Sequence, residues 1–189
     1  MILHALTAID FNDLHLNPVL LHIHLFGRDL FDIKWYSIAY IAGIVVGWMY
    51  LMRMSRAGEN AVKVCEFLRQ HPKVEHVGYL GFLKDGNDKR QADIYERHCS
   101  GAGSTFSLYL KGGEKEAFAF LDALKIAKLA VSLGGTETLA SHPAGMTHLS
   151  VPDARKQALG ITDNLVRISI GVEDADDLIA DFEAALETV

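Results

Sequence analysis

An arginine inside an apolar, β-branched run is the feature of this sequence best suited to chemistry. Arg167 stands between Val166 and Ile168 in the stretch LVRISIG, a composition that predicts a strand. Side chains alternate across a strand, so Arg167 shares its face with Leu165 and Ser169. A guanidinium at mid-strand is costly to bury unless it meets an anion, and its planar fork matches a carboxylate. Local chemistry leaves two interpretations open, a carboxylate anchor or a structural position, ion-paired or facing solvent.

A glycine-containing turn precedes that strand. Ser132 and Leu133 lead into Gly134-Gly135, a pair that lets the backbone pass close to a ligand. A plain tight turn explains the two glycines equally well.

Several motifs occur in one order along the second part of the chain: SGAGSTFSLYLKGGEKEAFAFL, SLGGTETL, HPAGMTH and GITDNLVRISIGVED. This series resembles the C-terminal domain of the Cys/Met-metabolism family of pyridoxal-phosphate enzymes. That family includes cystathionine γ-synthase, cystathionine γ-lyase and methionine γ-lyase. The resemblance covers about 130 residues, back to about Glu59.

The resemblance implies roles for four residues. Arg167 would hold the α-carboxylate of a sulfur-containing amino acid, and Ser132 would line the site beside both substrate and pyridoxal phosphate. Leu133 would belong to the substrate site, and Thr147 would support the arginine. The implied fold is the small C-terminal α/β domain of a fold-type I pyridoxal-phosphate transferase, in a homo-oligomer or paired with a large-domain chain.

The cofactor machinery of that family is not recognisable in the sequence. The lysine motif, the phosphate loop and the stacking tyrosine are not found, and Lys125 and Lys128 read as solvated helix lysines. We therefore assign no catalytic residue. The expected function is that of a partial trans-sulfuration enzyme, which supplies the substrate-carboxylate site for γ-elimination or γ-replacement and is inactive alone.

Composition bounds the remaining possibilities. Of the 189 residues 50% are hydrophobic and the net charge is −6, which predicts one cored domain with an appendage and no nucleic-acid surface. Residues 1–57 carry no net charge, and the whole net charge of −6 lies in the residues after Ala57. We therefore divide the chain into 1–57 and 58–189. Neither the His22-x-His24 pair nor the two cysteines, Cys65 and Cys99, have the partners of a metal site, and none is predicted.

The first of these segments carries an uncharged run of 18 residues, from Trp35 to Met52. As a helix it reaches roughly 27 Å, close to a hydrocarbon core of about 30 Å. Aromatic residues near its ends, with Arg53 and Arg56 following, are typical of a membrane span whose C-terminal end faces the cytoplasm. The run predicts one membrane-spanning helix at about 35–53, with a buried helix as the alternative.

A second resemblance concerns this segment. NPVLLHIHLFGRDLFDIKWYSIAYIAGIVVGWMYLMR resembles the first transmembrane segment of prolipoprotein diacylglyceryl transferase. It implies a membrane location without acyl-transfer activity. We expect a fused or truncated reading frame, with a cytoplasmic domain tethered to the inner membrane. The alternative function is a membrane-anchored binding or interaction module.

The local patterns also predict the elements around the site. They favour a helix capped by Asn60 and ending near Gln70, and a helix over 114–125 with Phe118, Leu121 and Leu124 inward. A last helix begins at Asp174, with acidic residues in its first turn that complement the helix dipole. The other expected elements are strands over 74–80, 104–110 and 130–133, a polar loop over 84–97, and the Arg167 strand.

Overall fold

The computed structural model describes residues 19–25, 28–86 and 88–189. The chain divides into two compact units, Met1–Tyr50 and Leu51–Val189. In the first unit, strands β1 (Val19–Leu25) and β2 (Arg28–Lys34) pair in antiparallel fashion. Helix α1 (Trp35–Gln70) begins directly after β2, and the boundary between the units falls within it.

Helix α1 differs from the prediction at its beginning. It runs without interruption for 36 residues, so Asn60 does not cap a new helix and that prediction is wrong. The helix can continue because Gly58 is tolerated in a helix interior with good helix formers on both sides. Among the residues that the structure describes, α1 is the one helix that is long and apolar enough to cross a membrane. No residue in its most apolar stretch of 18 residues is buried.

The second unit is built on a five-stranded sheet. Its order is β3-β4-β7-β6-β5, and all neighbours are antiparallel except β5 and β6. The strands are β3 (Val74–Gly78), β4 (Thr105–Leu110), β5 (Lys128–Leu129), β6 (Leu139–Ser141) and β7 (Leu165–Ser169). The helices that follow α1 are α2 (Lys89–His98), α3 (Glu114–Ala123), α4 (Asp153–Ala158) and α5 (Ala175–Leu186). The α/β prediction is confirmed.

One face of the sheet forms the hydrophobic core with α1, α3 and α5. The alternating residues Phe106, Leu108 and Leu110 of β4 are buried in this core, and α1 contributes Val64, Cys65 and Leu68. In α3 the inward residues are Ala117, Phe120 and Leu121, whereas Phe118 is 36% exposed and was wrongly predicted to face inward. Burial raises the pKa of the Cys65 thiol, with the charge of Glu66 as a smaller cause. Cys65 is therefore a small core residue.

Two further predictions were wrong for identifiable reasons. The expected polar loop over 84–97 contains α2, whose first turn is capped by the carboxylate of Asp88 accepting from the backbone N–H of Gln91. Its polar residues are good helix formers, and their polarity reflects exposure. The expected strand over 130–133 is a loop, because the strand pairing ends at Leu129. Strand β6 was not predicted.

Candidate functional site

Arg167 lies in the middle of the central strand of the sheet. Its direct partners are Ser107 on β4 and Ser141 on β6, so the three side chains share one face. On the opposite face Val166 and Ile168 are fully buried in the core. The sheet thus separates a helix-covered apolar face from a face on which Arg167 is the charged group at the centre.

Two backbone carbonyls hold the guanidinium. Nη2 of Arg167 donates to the carbonyl oxygens of Val131 and Ser132, at 2.5 and 3.1 Å. Among the described residues no carboxylate pairs with this arginine, and its Nε and Nη1 have no partner. The guanidinium is therefore oriented by neutral groups and retains unpaired donors that can bind an anion.

The loop that supplies these carbonyls is fastened at its middle and at its end. The backbone N–H of Gly134 donates to Oγ of Ser169 at 2.9 Å. Farther along, both carboxylate oxygens of Glu173 accept from Thr138, from its N–H and its hydroxyl. Gly171 donates its N–H to the same hydroxyl at 2.9 Å. The segment that follows β7 therefore fixes the loop against the strand that carries Arg167.

Asn60 joins α1 to that same segment. Its side-chain amide is buried and donates to the carbonyl oxygens of Gly171 and Glu173, at 3.3 and 2.7 Å. Sequence reasoning missed this role because the partners lie more than 110 positions away. An asparagine in a helix interior, where it is a poor helix former, was the available signal.

A buried histidine organises the loop that carries Thr147. His142 is fully buried, with Nε2 2.8 Å from the carbonyl oxygen of Asp163, while Nδ1 accepts from the N–H of Gly145 at 3.0 Å. Since Nδ1 is an acceptor, Nε2 carries the proton. Both ring nitrogens are thereby satisfied, which makes this histidine a structural clamp for the loop.

The structure brings together two of the four predicted site residues. Arg167 contacts the backbone of Ser132, whose side chain is exposed. Leu133 is 54% exposed beside them. Thr147 bonds within its own loop, to the carbonyl of Pro143 at 3.4 Å and to Nδ1 of His148 at 2.8 Å, and it is not among the arginine's partners in the described ranges.

Fold and site together define an α/β domain with an arginine that is oriented by backbone carbonyls at the centre of one sheet face. The chain belongs to the family of Cys/Met metabolism PLP-dependent enzymes, whose family model matches residues 49–187. The resemblance noted from the motifs is confirmed for this part of the chain.

Curated relatives match the same part. The chain is 44% identical over 138 residues to an L-methionine gamma-lyase of Fusobacterium nucleatum subsp. polymorphum, covering 73% of this chain and 34% of that protein. It is 43% identical over 136 residues to a cystathionine gamma-lyase of Sus scrofa, covering 72% and 33%. For an O-acetyl-L-homoserine sulfhydrylase of Leptospira meyeri the identity is 38% over 138 residues, covering 73% and 31%. The chain spans about a third of the length of these relatives.

Membership of this family implies pyridoxal phosphate as the cofactor. The described residues do not include a lysine in the setting that this cofactor requires. A Schiff-base lysine needs a desolvated or cationic setting, and no lysine in the described ranges is buried. Lys128 is exposed and donates to the carbonyl of Lys125. No reaction step is therefore assigned to this chain's lysines.

Proposed function

We propose that this chain supplies the α-carboxylate site of a pyridoxal-phosphate-dependent enzyme that carries out γ-elimination or γ-replacement on sulfur-containing amino acids. The single observation that supports it is the guanidinium of Arg167, held by two backbone carbonyls and left without an acidic partner. The names of the curated relatives, two gamma-lyases and a sulfhydrylase, support the substrate class.

The proposed roles follow from the contacts. Arg167 binds the carboxylate through its unpaired N–H donors, and the carbonyls of Val131 and Ser132 fix its orientation before the ligand arrives. Ser132 and Leu133 line the ligand side of the loop, with the hydroxyl of Ser132 next to the cofactor. Thr147 supports the arginine, a role that rests on the family resemblance.

The lysine and phosphate cradle of the cofactor come, in this proposal, from a separate large-domain chain, because further copies of this chain in a homo-oligomer would add no such lysine. The 189-residue chain by itself is then inactive. Borohydride reduction of the purified chain with added pyridoxal phosphate should give no stoichiometric pyridoxyl-lysine. A one-to-one adduct at a single lysine would contradict this part of the proposal.

The carboxylate site is tested by calorimetric titration of the full chain with L-methionine. We expect Arg167→Lys to weaken binding by about 10- to 100-fold, because a single ammonium nitrogen cannot both donate to the two carbonyls and present a separate, fixed N–H to the carboxylate. Arg90→Lys, on the exposed surface of α2, is the matched control and should leave the affinity unchanged. L-methionine methyl ester, which lacks the carboxylate, should bind no variant.

Equal affinity of the wild-type chain and Arg167→Lys for L-methionine would refute the carboxylate site. The same result would follow if the methyl ester bound as well as the free acid, since the carboxylate would then contribute nothing. Circular dichroism of each variant shows whether the fold is retained, so that a loss of binding reports on the arginine itself.

A second proposal concerns the apolar part of α1. All residues of the run 35–52 except Ser37 are exposed, and Ile44, Val46, Trp48 and Leu51 are each more than 60% exposed. We propose that this part of the helix, within the segment 1–57, anchors the domain 58–189 to the cytoplasmic face of a membrane, as the resemblance to prolipoprotein diacylglyceryl transferase implies. Release of the expressed chain from membranes by alkaline carbonate would reject the anchor.

A further inference from the structure

A buried serine lies beside the anion-binding arginine with its hydroxyl unused. Ser141, in β6, is 1% exposed, and its Oγ is a buried side-chain atom with no hydrogen-bond partner among the described residues. A buried hydroxyl without a partner costs stability, because it gives up its hydrogen bonds to water. Such a group in a folded protein calls for an explanation.

The sheet order shows what lies over this hydroxyl. Ser141 is the direct partner of Arg167, and β6 lies between β7 and β5. The carbonyls that hold the guanidinium belong to Val131 and Ser132, just beyond the end of β5. The side chain of Arg167 therefore extends from β7 across β6 to the loop beyond β5. Its path passes over Ser141, which explains why a small residue there is so completely buried.

The arginine has a donor in the position to match this acceptor. Nη2 is occupied by the two carbonyls, and within the part of the chain that the structure describes Nε and Nη1 have no partner. Nε is the polar atom nearest the strand from which the side chain starts, and so the one that crosses β6. Nη1 lies farther out and is available to a ligand.

We propose that Ser141 is a positioning residue of the carboxylate site. When an α-carboxylate binds at Nη1, Oγ of Ser141 accepts the Nε–H of Arg167 and locks the guanidinium plane between the carbonyls and the ligand. This proposal rests on the proposed function, because it presumes that Arg167 binds a carboxylate. Without the ligand the Ser141 hydroxyl has no partner among the described residues, which lowers the free energy of unfolding. Its hydrogen bond forms when the ligand binds.

The experiment follows the Nε–Hε cross-peak of Arg167 by ¹H–¹⁵N NMR in the full chain, assigned by its loss in Arg167→Lys. L-methionine is the probe. In the wild-type chain we expect the ¹Hε resonance to move downfield on saturation. In Ser141→Ala this shift is lost and the dissociation constant rises about 5-fold, the change expected for one hydrogen bond.

The melting temperature is a second measurement of this role. If Ser141 only stabilised the fold, its replacement by alanine would lower the melting temperature, whereas this proposal predicts an increase. Ser141→Ala should raise the melting temperature of the free chain by about 2–4 °C, because it removes an unsatisfied hydroxyl. Ser107→Ala is the matched control: Ser107 is the other cross-strand partner of Arg167 but lies on the side away from the loop. It should leave the Nε–Hε shift and the affinity unchanged.

Two results overturn the role of Ser141 while leaving the carboxylate site intact. The first is that Ser141→Ala has the same affinity for L-methionine and the same downfield ¹Hε shift as the wild-type chain. The second is that Ser141→Ala melts at a lower temperature than the wild-type chain. If L-methionine moves no Arg167 resonance in the wild-type chain, the proposed function itself fails, and the role of Ser141 fails with it.

Discussion

We expect Gly171→Ala to lower the free energy of unfolding by about 3 kcal/mol, near the upper end of overpacking costs. A methyl group at this position would lie 2.5 Å from the carbonyl oxygen of Thr136 and 2.6 Å from the carbonyl carbon of Glu137, and it would also overlap the carboxylate of Glu173. Two of these neighbours are backbone atoms, which cannot be moved by a change of rotamer. The loop must shift as a whole.

The displaced loop is the one whose carbonyls orient the guanidinium. The backbone N–H of Val172 donates to the carbonyl oxygen of Thr136 at 2.9 Å. The oxygen that the new methyl group would overlap therefore also binds the loop to the segment after β7. We therefore expect Gly171→Ala to weaken binding of L-methionine as well as stability. Urea unfolding and calorimetric titration measure the two effects.

Gly101→Ala is the control for this substitution. No atom lies within 4 Å of the position that its methyl group would take, so the variant should differ from wild type by less than about 0.5 kcal/mol. An unfolding free energy for Gly171→Ala as close to wild type as that of the control would show that the segment after β7 does not constrain the loop.

The second large effect is expected at Asp181, a buried carboxylate on α5 that is 7% exposed. Its oxygens accept three consecutive backbone N–H groups, from Lys125 at 2.8 Å, Ile126 at 3.0 Å and Ala127 at 3.1 Å. Asp181→Ala leaves these donors without a partner, and we expect a loss of about 3–5 kcal/mol in the free energy of unfolding. Chemical denaturation provides the measurement.

Asp177→Ala on the same helix is the matched control, since that side chain is exposed and contributes only through the helix dipole. Asp181→Asn keeps one acceptor oxygen and should fall between the two. If Asp181→Ala and Asp177→Ala lost the same stability, the three N–H contacts would have no measurable value to the fold.

The local signals in the sequence were sufficient for the strongly patterned elements. Strand β4, strand β7 and helix α5 were predicted because alternating or helical apolar positions coincide with one buried face. Asp174 caps α5 as predicted, by accepting from the N–H of Asp176. The arginine was singled out because a charge within such a pattern requires an anion or water.

The contacts that complete the site could not be predicted in this way, because they join residues that are distant in sequence. The position of Asn60 in a helix interior hints at a role but not at its partners after β7, and nothing near Asp181 reveals the three backbone N–H groups that donate to it. Strand β6 is only three residues long and lacks a period of its own. Ser141 therefore gave no local signal, although it lies directly opposite the arginine.

The margins of the sheet have a consequence for how this domain meets other copies and partners. One margin, β5, is two residues long, and the other, β3, has an irregular register between Val74 and His76. Short and irregular outer strands are poor templates for intermolecular β-pairing. Growth of the five-stranded sheet by edge-to-edge pairing is thereby disfavoured, so contacts with other chains are expected to rely on side chains rather than on added strands.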